Sequence, residues 1–160
     1  MITVERAREL LNYDPETGVL TWKVNKGRRV LKGRRAASIN MCTGYRQIGI
    51  DGRKYREHRI IWLIHYGFFP DEFLDHLNHD RADNRLCNLR ATSRRGNSRN
   101  VKLGRANKSG VMGVQSYRKS WRVMICSSYY GSFKTIEEAA VVAKRVYAGL
   151  GYHENHGATS

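Results

Sequence analysis

Apolar residues recur along this chain at two different spacings, and the changes of spacing divide it into short elements. In residues 4–11, Ala7, Leu10 and Leu11 fall toward one side of a short helix. Tyr13-Asp14-Pro15-Glu16-Thr17-Gly18 is turn chemistry, and Val19-Leu20-Thr21-Trp22 reads as a strand. Residues 44–50 alternate like a half-buried strand, Asp51-Gly52 is a hairpin turn, and Lys54-Tyr55-Arg56 begins the return strand. Residues 59–67 are apolar nearly all round and end at Gly67, which predicts a buried helix.

Phe68-Phe69-Pro70 makes a corner, and residues 72–76 form a strand that 89–92 can pair with on the way back. Thr92 or Ser93 can cap a short helix through Asn100, with Asn97 about one turn in and facing the strand pair. The C-terminal third reads as three strands, residues 110–117, 121–126 and 129–133, with a turn at Arg118-Lys119-Ser120. Thr135-Ile136-Glu137-Glu138 is a capping box that opens a helix to about Leu150. Ala139, Ala140, Ala143, Val146, Tyr147 and Leu150 give that helix one close-packing face.

Composition narrows the partners. The 160 residues carry a formal charge of +15 and a pI near 10.2, so a polyanion is expected, with nucleic acid first. An anionic membrane surface would want a basic amphipathic helix, whereas the basic residues here lie mostly in glycine-broken stretches. Seven of them (Lys23, Lys26, Arg28, Arg29, Lys32, Arg34, Arg35) occur without an acid in residues 23–35, and seven more (Arg90, Arg94, Arg95, Arg99, Lys102, Arg105, Lys108) in 90–108. Both stretches are expected along a phosphate backbone, although a solvated loop is the plainer account of the first. Cys42, Cys87 and Cys126 form no CxxC pair, which argues against a zinc ribbon and suits a reducing compartment. No apolar signal core or bilayer-length run is present, so a soluble, cytoplasmic protein is expected.

The candidate chemistry lies in Asp75-His76-Leu77-Asn78-His79-Asp80-Arg81-Ala82-Asp83-Asn84-Arg85-Leu86-Cys87-Asn88-Leu89-Arg90, with Asn97 downstream. Phosphodiester cleavage needs a base, a cation for the departing oxygen, and groups that hold the phosphate in line. His76 suits the base, since a neutral imidazole takes a proton near pH 7. Asp75 and Asn97 offer oxygen donors that favour Mg²⁺ or Mn²⁺. Asn88 can orient His76 or tie the loop, and Asn84 is expected to hold the loop together. His58, His65, His153 and His156 are expected to be structural or inert.

This segment closely resembles the HNH motif of phage and intron-encoded homing endonucleases. Tyr13 to Trp22, Gly44-Tyr45, Asp51-Gly52 and His58-Arg59 before an apolar helix also match. Residues 109–151 resemble an AP2 DNA-binding domain through Gly113-Val114, Trp121, Gly131-Ser132-Phe133-Lys134-Thr135 and Glu137-Glu138-Ala139-Ala140. The resemblances imply an α+β protein: a ββα-metal (His-Me finger) nuclease core and a three-stranded antiparallel sheet packed on one helix. His76 resembles the general base, Asp75 and Asn97 the metal ligands, and Asn88 the active-site asparagine. One divalent ion, Mg²⁺ or Mn²⁺, is implied, with 5′-phosphate and 3′-hydroxyl products and no small-molecule cofactor.

Asn78-His79 departs from the Asp-Gly of relatives; His79 is a loop surface residue or an auxiliary phosphate contact. In the AP2-like sheet, Arg118, Lys119, Trp121 and Arg122 are the candidates for DNA contact, joined by Arg94, Arg95 and Arg99. Core packing is an equal account of Trp121.

The implied organisation is an N-terminal region 1–100 with the nuclease core at 56–100, a basic linker 101–109, the AP2-like domain 110–152 and a tail 153–160. The expected function is cleavage of double-stranded DNA, with nicking by a monomer. A non-catalytic DNA-binding regulator and an RNA-binding protein are the rivals.

Overall fold

The computed structural model describes residues 1–158, with the side chain of Arg95 outside the described set. The chain divides into two units, Met1–Ser93 and Arg94–Ser160. Both mix helices with small antiparallel sheets, as an α+β chain should. Among the described residues, no helix is long and apolar enough to cross a membrane.

In the first unit α1 (Val4–Leu10) is capped by Thr3, whose hydroxyl accepts from the Arg6 amide at 3.3 Å. The chain passes directly into β1 (Leu11–Asp14), a strand that the helix pattern through Leu11 and the turn reading from Tyr13 conceal in the sequence. β1 pairs with β2 (Val19–Trp22), Leu11 opposite Trp22 and Asp14 opposite Val19. The basic stretch 23–35 then folds back along β2: the Trp22 amide donates to Arg34 and the Ala36 amide to Leu20, at 3.0 and 2.8 Å.

A three-stranded sheet follows, β3 (Ser38–Ile39), β4 (Arg46–Ile50) and β5 (Arg53–Arg56), of which β3 carries no sequence signal. The β4–β5 turn has positive φ at Asp51 and Gly52, the twist a tight hairpin needs. α2 (Glu57–Tyr66) starts two residues before the expected Arg59 and stops at Gly67 in the left-handed region. Ala7, Leu10, Leu11, Leu20, Ile48, Ile60 and Ile61 form the core beneath these elements. β6 (Phe73–His76) and β7 (Leu89–Thr92) pair antiparallel, and Trp62 of α2 clusters with Leu74 and Leu89 to anchor that pair.

The second unit opens with α3 (Arg94–Ser98), two residues shorter than expected. β8 (Val114–Tyr117), β9 (Ser120–Ile125) and β10 (Ser128–Phe133) form one sheet in the order β10-β9-β8. β8 starts four residues later than the pattern suggests, because Gly110 and Gly113 both adopt positive φ. α4 (Ile136–Gly149) carries the expected capping box between Thr135 and Glu138. Ala139 and Ala143 of α4 pack on Val114, Val123 and Ile125. Residues 153–158 do not trail away: the Gly157 amide donates to Val101 at 2.8 Å and the Leu103 amide to Ala158 at 3.3 Å. His156, expected to be inert, makes tilted ring contacts with Tyr147 and Tyr152, which also meet each other.

Candidate active site

Asp75 and His76 are consecutive on β6, so their side chains leave opposite faces of the strand pair. His76 points inward and is 3% exposed. Asp75 faces its cross-strand partner Arg90, whose Nε and Nη2 donate to Oδ2 at 3.2 and 2.9 Å.

His76 sits in a nest of rings. Its imidazole meets that of His58 edge to face, centroids 5.1 Å apart, and Tyr45 lies 5.3 Å from His58 and 5.8 Å from His76. Two exposed guanidiniums lie close to the Tyr45 ring, Arg56 at 4.4 Å and Arg81 at 4.9 Å from the ring centre. Arg81 is held there by a 2.8 Å bond from Nη1 to the Thr43 carbonyl. Burial first, then the neighbouring His76, pushes the His58 pKa down to about 3. Burial also lowers that of His76, opposed by its bond to Asn84 and by the Asp75 charge.

The two asparagines take different positions around His76. Asn84, expected only to hold the loop, is fully buried with Oδ1 3.0 Å from Nε2 of His76. Asn88, for which orienting His76 and tying the loop were both open, ties the loop: its Oδ1 accepts from the Asn78 amide and its Nδ2 donates to the Asp83 carbonyl, both at 2.9 Å. Asp83 in turn accepts from Asn78 Nδ2 at 2.8 Å and from Arg85, which holds its carboxyl below the usual range. His79 takes φ 63° in this loop, the left-handed conformation that glycine adopts without strain.

Behind Asn84 stands Glu57, the first residue of α2 and 0% exposed. Its Oε2 accepts from Asn84 Nδ2 at 2.8 Å, its Oε1 accepts from the Leu20 amide at 3.3 Å, and Arg35 lies 3.9 Å away. Burial raises the Glu57 pKa, against the opposing pull of the Leu20 amide, Arg35 and Asn84. The hairpin of β1 and β2 fixes the other side of Asn84. The Tyr13 hydroxyl donates to the Asn84 carbonyl and accepts from the Leu86 amide, at 3.3 and 3.1 Å. Gly18, at φ +70°, lies so close that a Cβ there would come within 2.5 Å of the Arg85 nitrogen.

Glu57, His58 and Tyr45 escape a reading by residue spacing. They come from elements 18 or more positions upstream of His76, and only the fold gathers them. A glutamate preceding an otherwise apolar helix was the available signal for Glu57, since a buried acid needs a partner.

Asn97 lies on α3, in the second unit, with Arg94 on the same helix and Arg99 just beyond it. Arg99 covers Tyr152 at 5.3 Å. The side chain of Arg95 lies outside the described residues. Among the described residues, no group of three or more His, Cys, Asp or Glu is gathered as metal ligands.

In the sheet of the second unit, alternation along β9 turns Trp121, Val123 and Ile125 toward α4, and Trp121 is half-buried against that core. Arg122 belongs to the opposite face, stacked 4.8 Å from the Tyr117 ring with Nη2 3.3 Å from Gln115 Oε1. Arg118, at φ 54°, and Lys119 form the β8–β9 turn.

Comparison of the chain with curated proteins and with solved structures finds no match. Comparison with family models does: residues 55–99 match the HNH endonuclease family, a span that begins at the end of β5 and takes in Glu57, His58, the β6–β7 pair, its loop and Asn97.

Proposed function

We propose that this chain is a metal-dependent HNH endonuclease that hydrolyses phosphodiester bonds in duplex DNA, a phage homing enzyme whose second unit is an AP2-like targeting module. The observation that carries the proposal is the HNH match over 55–99, on a segment that sets Asp75 beside a buried His76. The net charge of +15 supports a polyanionic substrate.

His76 is the general base in this reading. Burial keeps its imidazole neutral near pH 7, ready to take a proton from water. Arg56 and Arg81, exposed and close to the Tyr45 ring, supply positive charge for a phosphate. Asp75 pairs with the Arg90 guanidinium, a contact that a metal ion at this carboxylate would have to displace. The Asp75 carboxylate and the Asn97 amide, both within the matched span, are by their chemistry hard oxygen donors of the kind that Mg²⁺ or Mn²⁺ takes. Such an ion, when bound, stabilises charge on the departing oxygen. Asn88 contributes by holding the loop closed.

The AP2-like reading of the second unit is supported by its three strands packed on one helix, with Gln115, Tyr117 and Arg122 on the face away from that helix. Arg118 and Lys119 extend that face at the turn. A monomer that nicks duplex DNA in the host cytoplasm completes the proposal.

The alternative is a non-catalytic DNA-binding regulator, favoured by the engagement of Asp75 with Arg90 and of Asn88 with its own loop. Supercoiled phage or plasmid DNA incubated with the protein and Mg²⁺, Mn²⁺ or EDTA separates the two. Nicked or linear product with either metal and none with EDTA supports the nuclease; tight duplex binding without cutting under all three supports the regulator.

A further inference from the structure

We infer that Glu57 is a positioning residue for His76, acting through the side chain of Asn84 to decide which imidazole nitrogen holds the lone pair. This rests on the reading of His76 as the base, and adds a residue to it.

Glu57 is fully buried, where a carboxylate is costly unless its oxygens are matched to donors. A residue needed only to fill space there would be apolar. Its shortest bond, 2.8 Å, is accepted from Nδ2 of Asn84. An amide is a two-ended group: with its NH₂ end given to Glu57, its oxygen is the end that faces His76, 3.0 Å from Nε2. An amide oxygen only accepts, so Nε2 must carry the imidazole proton. The lone pair then lies on Nδ1, which in the reading of His76 as the base is the nitrogen that takes the proton from water. The carboxylate sets the amide, and the amide sets the tautomer.

The second contact of Glu57 makes the idea testable with an isosteric change. In Glu57→Gln the Leu20 amide still needs an acceptor. The introduced oxygen stays with Leu20, and the introduced NH₂ faces Asn84. Asn84 must then turn its oxygen toward position 57 and its NH₂ toward His76. Nε2 becomes the acceptor and the proton moves to Nδ1. Adding Asn84→Asp to Glu57→Gln reverses this, because a carboxylate at 84 can accept from both neighbours.

The measurement is the ¹⁵N spectrum of the imidazole rings in full-length protein at neutral pH, with His76 assigned by its loss in His76→Gln. The expected result is Nε2–H in the wild type, Nδ1–H in Glu57→Gln, and Nε2–H again in the double variant. DNA nicking is followed in parallel. It should fall by about 10²–10⁴-fold in Glu57→Gln, with duplex binding unchanged, and recover in the double variant. Nδ1–H in the wild type, or Nε2–H retained in a folded Glu57→Gln, overturns the inference. The wild-type spectrum alone is decisive if Glu57→Gln does not fold. If the tautomer switches as expected but the wild type cuts no DNA, the positioning device stands and the nuclease reading falls.

Discussion

His58 and His76 meet edge to face in the interior of the first unit, their planes 86° apart and their ring centres 5.1 Å apart. A proton on either ring would be buried and would face the other. His58 bears most of that cost, with Nδ1 buried and without a hydrogen-bond partner among the described residues, and its pKa pushed down to about 3.

Acid should therefore unfold the protein through His58. Its folded pKa is below its unfolded value of about 6.5, so on acidification the unfolded chain takes up the proton first. The stabilisation is fully present above that value and is lost as pH falls toward about 3, at up to about 1.4 kcal/mol per pH unit. Denaturant unfolding between these limits should show that slope, flattened in His58→Phe by the share of one proton. An equally steep slope in His58→Phe would contradict it. The downward shifts of His76, Asp51 and Asp83 leave a residual slope of the same sign, which the upward shift of Glu57 opposes.

Asn84 and Asn88 should separate by phenotype. Asn88→Ala removes two loop bonds and should lower stability by about 1–3 kcal/mol, leaving the His76 surroundings in place. Asn84→Ala also leaves the Glu57 carboxylate without its closest donor, so it should cost more stability and disturb the His76 resonances as well. Thermal unfolding and histidine NMR of both variants check this; the opposite pattern would restore Asn88 to the side of the base.

Gly18→Ala should destabilise by at least about 1–2 kcal/mol from its left-handed backbone alone. Contact with the backbone of Asn84 and Arg85 adds to this, since neither is the yielding end of a flexible side chain. The same change at Gly27, also at positive φ but in open space, should cost only the backbone part. Equal Tm losses at the two positions would show that the Gly18 contact carries no weight.

Much of this architecture was legible because local chemistry and tertiary structure agree. The Asp51-Gly52 turn, the Gly67 stop and the Thr135–Glu138 capping box all stand where their residue types predict. β1 was hidden because the helix pattern runs through Leu11 and the turn reading begins at Tyr13, which leaves only Asn12 between them, and β3 is two residues long. At the site, Asp75 and His76 could be read from one strand, but the partner of His76 could not. Asn84 and Asn88 differ by four positions in one polar loop, and which of them faces the imidazole depends on Glu57, Tyr13 and Gly18 packing behind it.

The two faces of the second sheet should respond differently to truncation. Trp121→Ala should lower Tm, because the indole packs on the α4 core. Arg122→Ala should instead weaken duplex DNA binding with a small change in Tm. For the whole chain, contact with about six to ten phosphates implies a loss of about 10³–10⁵ in affinity between about 50 and 200 mM salt. Titrations over that range check both; a salt-independent affinity would exclude the phosphate-dominated mode.

The most direct test of the nuclease proposal is cleavage of supercoiled DNA by wild type and His76→Ala, with duplex binding measured on the same samples. The proposal predicts metal-dependent nicking by the wild type, its loss in His76→Ala, and equal binding by both. Cleavage that survives His76→Ala with the fold intact would contradict His76 as the base. Binding by both proteins without cleavage by either would make the HNH segment a scaffold.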